Sequence, residues 1–164
     1  MIVLADASPL ITLAEVGYLE VLAELYESII ITPEVYAEVA VAGEGRAGAL
    51  QIGADWIQVR SLGTPVPIAI SQVQSILGVG ERSTIALARE MNADLTIMDD
   101  SRVRRVAEKH GVVVFGCVGV LETAFRGGLI TDLTKAYQRL ISSEAYINPE
   151  ILKASLAKLM QPPL

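Results

Sequence analysis

Ile2-Val3-Leu4-Ala5-Asp6-Ala7-Ser8-Pro9-Leu10-Ile11 carries an apolar run of strand length into an aspartate and then at once into a helix signal. Hydrophobicity that is continuous rather than alternating marks a strand covered on both faces, as in a parallel sheet. Ser8-Pro9 reads as an N-cap followed by proline at the first helical position, where a missing N–H is no loss. The stretch is therefore the opening of a strand-helix alternation.

Outward from it the pattern repeats. Ser28 to Ile31, Leu95 to Met98 and Val112 to Phe115 are further strands, with Trp56 to Val59 a weaker fifth. Thr32-Pro33 restates the cap-proline signal directly after Ile29-Ile30-Ile31. Gly80 precedes a helix whose Ile85, Leu87, Ala88 and Met91 face the core, and Ser101 caps a basic helix with Arg102, Arg104, Arg105 and Lys109. Helices are also expected over Val118 to Arg126, Asp132 to Ile141 and Pro149 to Met160, while Ser71 to Leu77 is more helix than strand. Such alternation predicts an α/β fold of three layers, α/β/α, around a central, mainly parallel sheet. At 164 residues the expectation is a single domain over 1–164, with about 146–164 a C-terminal helical extension.

Composition narrows the function. Hydrophobic residues make up 52 %, ample for one core, and the single cysteine, Cys117, excludes an internal disulfide. Met1 leads into an apolar run without the basic segment of a secretory signal, so a cytoplasmic location is expected. The uncharged stretch from Ser61 to Gly80 holds Pro65, Pro67, Gly63 and Gly78 and reads as a loop leading into a helix, not a membrane span. A net charge of −6 argues against a broad basic face for duplex DNA. It leaves open a nuclease that grips phosphate through metal ions in an acidic pocket.

In open α/β sheets ligands bind beyond the carboxyl ends of the strands. Two of the best strands end there in acid: Ala5 is followed by Asp6, and Met98 by Asp99 and Asp100. Each taken alone reads equally as helix cap or site, although Ser8 is already placed to cap beside Asp6; together at one sheet edge they favour a site. Glu34 and Glu38 share a helix face four residues apart, where Glu34, near the positive helix end, reads as solvated and Glu38 as the functional candidate. Glu81 lies in the first turn of its helix, favourable for structural reasons alone, but Gly78-Val79-Gly80 lets the backbone approach something and aims the glutamate at it.

If Asp6, Glu38, Glu81 and Asp99 converge, a cation is required: two carboxylates about 4 Å apart repel by roughly 4 kcal/mol at an effective dielectric near 20. An oxygen-only cluster suits Mg²⁺ or Mn²⁺ rather than structural zinc. His110, in Lys109-His110-Gly111, reads as a charge at a helix C-terminus, and Cys117 as a packed thiol.

At these residues the sequence resembles the PIN-domain family through almost its whole length. The matching marks are Val3-Leu4-Ala5-Asp6-Ala7-Ser8-Pro9-Leu10-Ile11, Pro33-Glu34-Val35-Tyr36-Ala37-Glu38-Val39, Gly78-Val79-Gly80-Glu81 and Ile97-Met98-Asp99-Asp100-Ser101-Arg102. The resemblance implies an endoribonuclease acting on single-stranded RNA with Mg²⁺ or Mn²⁺, often the toxin of a toxin-antitoxin pair of the VapC type, with a small antitoxin protein as partner and a homodimer as assembly. It places the acidic positions on Asp6, Glu38, Glu81 and Asp99, with Ser8 the hydroxyl beside the first and Asp100 replacing or assisting Asp99. The Asp99-Asp100-Ser101-Arg102 element differs from the threonine-x-aspartate form common in the toxins and is similar to a subgroup of prokaryotic PIN-like proteins.

The reaction implied is phosphodiester hydrolysis by metal-activated water, with Asp6 and Asp99 the principal ligands, Glu38 and Glu81 completing a second site or orienting water, and Ser8 hydrogen-bonding a ligand or substrate. Arg102, Arg104 and Arg105 either hold flanking phosphates or form a solvated helix face, and no aromatic platform for base stacking is evident. Two other classes compete. Gly78-x-Gly80-x-x-Ser83 approaches a dinucleotide fingerprint, with Asp99 near its ribose-binding acid, but no strand precedes it and Glu81 would face the pyrophosphate. A non-catalytic PIN-like interaction module is the third reading.

Overall fold

The computed structural model describes residues 1–43, 54–72, 77–143 and 147–159. Five strands, β1 (Val3–Ala5), β2 (Ile29–Ile31), β3 (Ile57–Val59), β4 (Leu95–Ile97) and β5 (Val114–Phe115), form one sheet in the order β3-β2-β1-β4-β5. Every pairing is parallel, so the sheet is more uniform than the mainly parallel one expected.

Helices cover both faces. Val3 and Ala5 of the central strand point into one core with α1 (Ala7–Glu15), α2 (Val21–Tyr26), α3 (Pro33–Gly43), α7 (Cys117–Arg126), α8 (Leu133–Ser142) and α9 (Pro149–Leu159). Leu4 points into the other, against α4 (Ile68–Ser71), α5 (Val79–Glu90) and α6 (Ser101–Lys109). Strand side chains alternate between faces, so an uninterrupted apolar run serves both layers. Each fully buried leucine or isoleucine there contributes about 1.5–3 kcal/mol.

Several boundaries differ from the sequence reading, each for a local reason. β1 hands over to α1 within one residue: Asp6 occupies the N-cap position (φ −84°, ψ 167°), and Ser8 is an exposed residue of the first turn. Pro9 is thus the third helical residue, still among the N–H positions that have no intrahelical acceptor. Asp100, not Ser101, caps α6, accepting from the N–H groups of Arg102 (2.7 Å) and Val103 (3.4 Å). Gly80 lies inside α5, whose cap is Gly78. The helices α2 and α4 were not anticipated. Of the helix expected over Ser71 to Leu77, residues 73–76 lie outside the described residues, as does Met160 at the end of the C-terminal one. That last helix, α9, packs on α7 and α8, with Leu152 in the core and the Ser155 hydroxyl 2.6 Å from that of Tyr137.

A buried polar chain ties α3 to α5. The Val35 N–H donates to Thr32 Oγ1 at 3.3 Å, Thr32 Oγ1 lies 2.8 Å from Ser83 Oγ, and Ser83 Oγ donates to the Gly80 carbonyl at 2.9 Å. With Ser83 already donating, Thr32 supplies the proton between the hydroxyls. This chain joins the helices that bear Glu38 and Glu81. Thr32→Val keeps the shape but leaves a buried hydroxyl and a helix N–H short of a partner, so it should destabilise the fold by about 1–3 kcal/mol in urea unfolding. An unshifted midpoint would show that the two helices hold together by packing alone.

Candidate active site

β1 and β4 are neighbours, with Ala5 opposite Ile97, and the chain leaves them toward opposite edges of the sheet. Such a switch point leaves a crevice beyond the strand ends. Asp6 and Asp99 stand there, the Asp6 N–H donating to the Ile97 carbonyl at 3.0 Å. α3 brings Glu38, and α5 brings Glu81.

Asp6 is only 6 % exposed, makes no side-chain cap bond to α1, and its buried Oδ1 has no hydrogen-bond partner. Glu38, on the exposed side of α3, turns its carboxylate to the same place: a Cβ at Gly80 would lie 3.2 Å from Glu38 Oε2 and 3.7 Å from Asp6 Oδ1. Gly80 therefore lets α5 approach both acids, and any larger residue would press on them.

The other two acids are engaged. Glu81 Oε2 accepts from the Gly78 N–H at 2.6 Å, closing the first turn of α5 on itself. Asp99 accepts from the Cys117 N–H (2.7 Å) and the Cys117 thiol (2.9 Å), which fastens it to the start of α7. Gly116 makes room for this, because a Cβ there would stand 2.9 Å from Asp99 Oδ1.

Electrostatics single out Asp6. Burial pushes its carboxyl from 3.8 up to about 7; the Ala7 N–H opposes this, and the negative charges of Glu81, Glu38 and Asp99 add to it. Glu81 is raised too, mainly by burial, with Gly78 N–H opposing and Asp100 and Glu38 adding. Asp100 is lowered, first by its hydrogen bond to the Arg102 guanidinium, which is 2.9 Å away. The Cys117 thiol is held well above its usual value by burial and by Asp99, so it acts as a neutral donor.

Among the secondary candidates, Ser8 is exposed at the start of α1, and Asp100 is committed to capping α6 and pairing with exposed Arg102. Glu34 is exposed. Arg105 is exposed and donates to the Ser101 carbonyl, whereas half-buried Arg104 turns toward Gly116 and Asp99. Sequence reasoning missed Cys117 as the partner of Asp99, and Phe115, 41 % exposed at the end of β5.

Among the described residues no group of three His, Cys, Asp or Glu side chains is gathered tightly enough to hold a metal ion. The donor types nevertheless fit a hard divalent cation. Asp6 offers a buried oxygen without a hydrogen-bond partner, Glu38 shares its space, and Glu81, held by its bond to Gly78, lies near enough to act electrostatically on both.

A protein-family model described as a PIN domain matches residues 2–161. Among solved structures, a PilT N-terminus domain protein from the hyperthermophilic archaeon Sulfolobus solfataricus P2 is similar in fold, at a TM-score of 0.55 and 21 % identity, covering 76 % of this chain and 93 % of that one. No curated protein matches the chain.

Because the folded Asp6 carboxyl holds its proton to about pH 7 while the unfolded one releases it near 3.8, the unfolded chain loses protons first as pH rises. Metal-free stability should therefore be fullest below that lower value, fall across the interval and level off above pH 7. Asp6→Asn should flatten this decline and melt higher than the parent at pH 8, with the two converging at pH 4. Parallel melting curves in chelator across this range would contradict the burial of an unrelieved charge at Asp6.

Proposed function

The chain belongs to the PIN domain family, and from that membership and the acids around Asp6 we propose that it is a divalent-metal-dependent endoribonuclease hydrolysing phosphodiester bonds of single-stranded RNA. PIN domains are generally nucleases and typically use divalent metal ions. The observation that carries the reading is the buried Asp6 Oδ1, which has no protein partner and shares its space with Glu38.

Asp6, Glu38, Glu81 and Asp99 are the residues that would hold Mg²⁺ or Mn²⁺. A bound ion of this kind acidifies water and neutralises charge growing on the phosphate and leaving oxygen. The chain's own groups prepare the site. β1 fixes Asp6 at the floor, and Cys117 sets the plane of the Asp99 carboxylate through two donors. Glu81 would have to give up its bond to Gly78 to serve there. Ser8, exposed two residues after Asp6, and Arg102, exposed and paired with Asp100, are the groups that would meet an incoming phosphate chain.

The engagement of Glu81 with Gly78 also suits a non-catalytic PIN-like module, whose acids keep these structural bonds permanently. The same bond weighs against dinucleotide binding, since Glu81 occupies the N–H that a pyrophosphate would take. A role as toxin with a small antitoxin, and assembly as a homodimer, belong to the proposal on the strength of the family resemblance. The exposed Ile141 and Ile151 on α8 and α9 are apolar surface for such contacts. Among the described residues no helix is long and apolar enough to cross a membrane.

Purified protein should cleave a fluorescent oligoribonucleotide in Mg²⁺ or Mn²⁺ and not in chelator. Asp6→Asn should lower the rate by roughly 100-fold or more, the upper range for losing even a supporting residue of a metal site. Asparagine caps helices as well as aspartate does, so a cap role alone predicts no loss. Glu34→Gln should cleave normally. Full metal-dependent cleavage by Asp6→Asn would remove Asp6 from the catalytic cluster, and absence of cleavage by the parent would favour the non-catalytic module. Millimolar Mg²⁺ or Mn²⁺ should also raise the melting temperature at pH 8, because the ion binds only the folded cluster.

A further inference from the structure

Beside Asp99 a cavity of about 570 Å³ opens between the end of β5, α7 and α9. That volume is within the 300–1,000 Å³ usual for small-molecule sites and is ample for a nucleotide. Its wall carries cations from three helices: Arg104 of α6, Arg126 of α7 and Lys158 of α9. In a chain of net charge −6 this is a local reversal of sign. Arg126 and Lys158 are exposed and form no ion pair among the described residues. The Arg104 Nε is buried without an acceptor, so its guanidinium is incompletely satisfied.

The wall is also partly aromatic. Phe115 rests on Gly119, where a Cβ would come within 3.3 Å of the ring, and is still 41 % exposed. Glu122 and Thr123 add hydrogen-bond acceptors. An apolar ligand leaves the three cations without partners, and a simple anion leaves the ring uncovered. A nucleotide of single-stranded RNA satisfies both, with a π-face for Phe115, a phosphate for the cations, and base-edge or 2′-hydroxyl donors for Glu122 and Thr123.

We propose that this cavity is a nucleotide subsite that receives a residue of the RNA flanking the scissile phosphate, its base against Phe115 and its phosphate among Arg104, Arg126 and Lys158. The subsite rests on the nuclease reading, because Asp99 is the wall that cavity and acidic crevice share. It gives an acidic protein of net charge −6 a grip on the strand beyond the reacting group, and makes short substrates poor ones.

The test measures binding apart from turnover. A fluorescein-labelled mixed-sequence oligoribonucleotide of about twelve nucleotides is titrated with the full chain in Ca²⁺, in place of Mg²⁺, and read by anisotropy. Phe115→Ala should weaken binding roughly five-fold or more, the lower end for loss of one base-aromatic stack. Arg126→Ala with Lys158→Ala should weaken it further and flatten its salt dependence by roughly 0.7 in log-log slope for each phosphate that is no longer neutralised. Both of these positions are exposed, so folding is not at stake, and Lys135→Ala on α8, away from the cavity, controls for net charge. In Mn²⁺ the cavity variants should raise KM for the oligomer far more than they lower kcat. Unchanged affinity in the Phe115 and double-cation variants, while the parent cleaves and Asp6→Asn does not, overturns the subsite and leaves the nuclease standing. So does an equal loss in Lys135→Ala. A parent that neither binds nor cleaves the oligomer removes the nuclease reading and the subsite with it.

Discussion

A carboxylate oxygen sealed at the end of the central strand, with no hydrogen-bond donor, is the constraint around which this chain is arranged. The buried Oδ1 of Asp6 sits where β1 meets β4, the middle of a five-stranded parallel sheet, and the backbone there is locked by the bond from its own N–H to Ile97. Leaving a buried polar group unsatisfied costs about 1–3 kcal/mol, and more for a charge. Nearby Glu38, Glu81 and Asp99 raise that cost rather than relieve it. A fold shaped only for stability would place an apolar residue at this position, or let the side chain cap α1, for which it already has the backbone geometry. A proton relieves the strain at low pH, and the cation proposed for the site would do so at high pH. The site is in this sense poised between the two.

The neighbouring acids show how such a cluster is held in the fold by the chain's own donors. Asp99 takes the start of α7, Asp100 the start of α6, and Glu81 the start of its own helix α5. Parallel strands deliver successive helix N-termini to one edge of the sheet, and each presents N–H groups and a partial positive charge to that edge. The same topology that gathers the carboxylates thus supplies the donors that hold three of them apart. Asp6 and Glu38 are left facing a common space. For Glu81 to serve a proposed cation it would have to release Gly78, whereas Asp99 could do so while keeping its bonds from Cys117, because a carboxylate has lone pairs for both.

What could be read from the sequence is what rests on local pattern. Apolar runs ending in Asp6 and Asp99, the Thr32-Pro33 helix start and the Gly78-x-Gly80-Glu81 turn were all legible, because strand ends, caps and close approaches have their own residue signatures. The displaced caps were not. Ser8-Pro9 and Ser101 are both good start signals, and only the short passages from strand to helix, one residue after β1 and three after β4, show that Asp6 and Asp100 come first. Nor does sequence show which long-range partners meet. Cys117 reaches Asp99 because β5 pairs with β4, and Glu38 reaches Asp6 because the Thr32-Ser83 hydroxyl chain holds α3 against α5. Phe115 looked like one more apolar strand residue, since nothing in Val112 to Phe115 says that the sheet's edge leaves the ring uncovered.

An acidic chain proposed to act on a polyanion needs its charges sorted, and the helices do the sorting. The negative groups at the crevice come from the ends of β1 and β4 and from α3 and α5, near the centre of the sheet. The positive ones, Arg104, Arg126 and Lys158, come from α6, α7 and α9 around β5 at its edge. Net charge therefore says little about where a phosphate chain is attracted, since at physiological ionic strength charges beyond about 8 Å of exposed separation scarcely act on one another. Asp99 stands at the border: both of its carboxylate oxygens accept from Cys117 at the start of α7, it lines the cavity, and its charge still acts on Asp6. On the proposed nuclease reading, a strand drawn in by the cations at the edge would meet the carboxylates only where a divalent ion had reversed their sign. The metal would then be both the chemistry of the crevice and the condition for substrate to enter it.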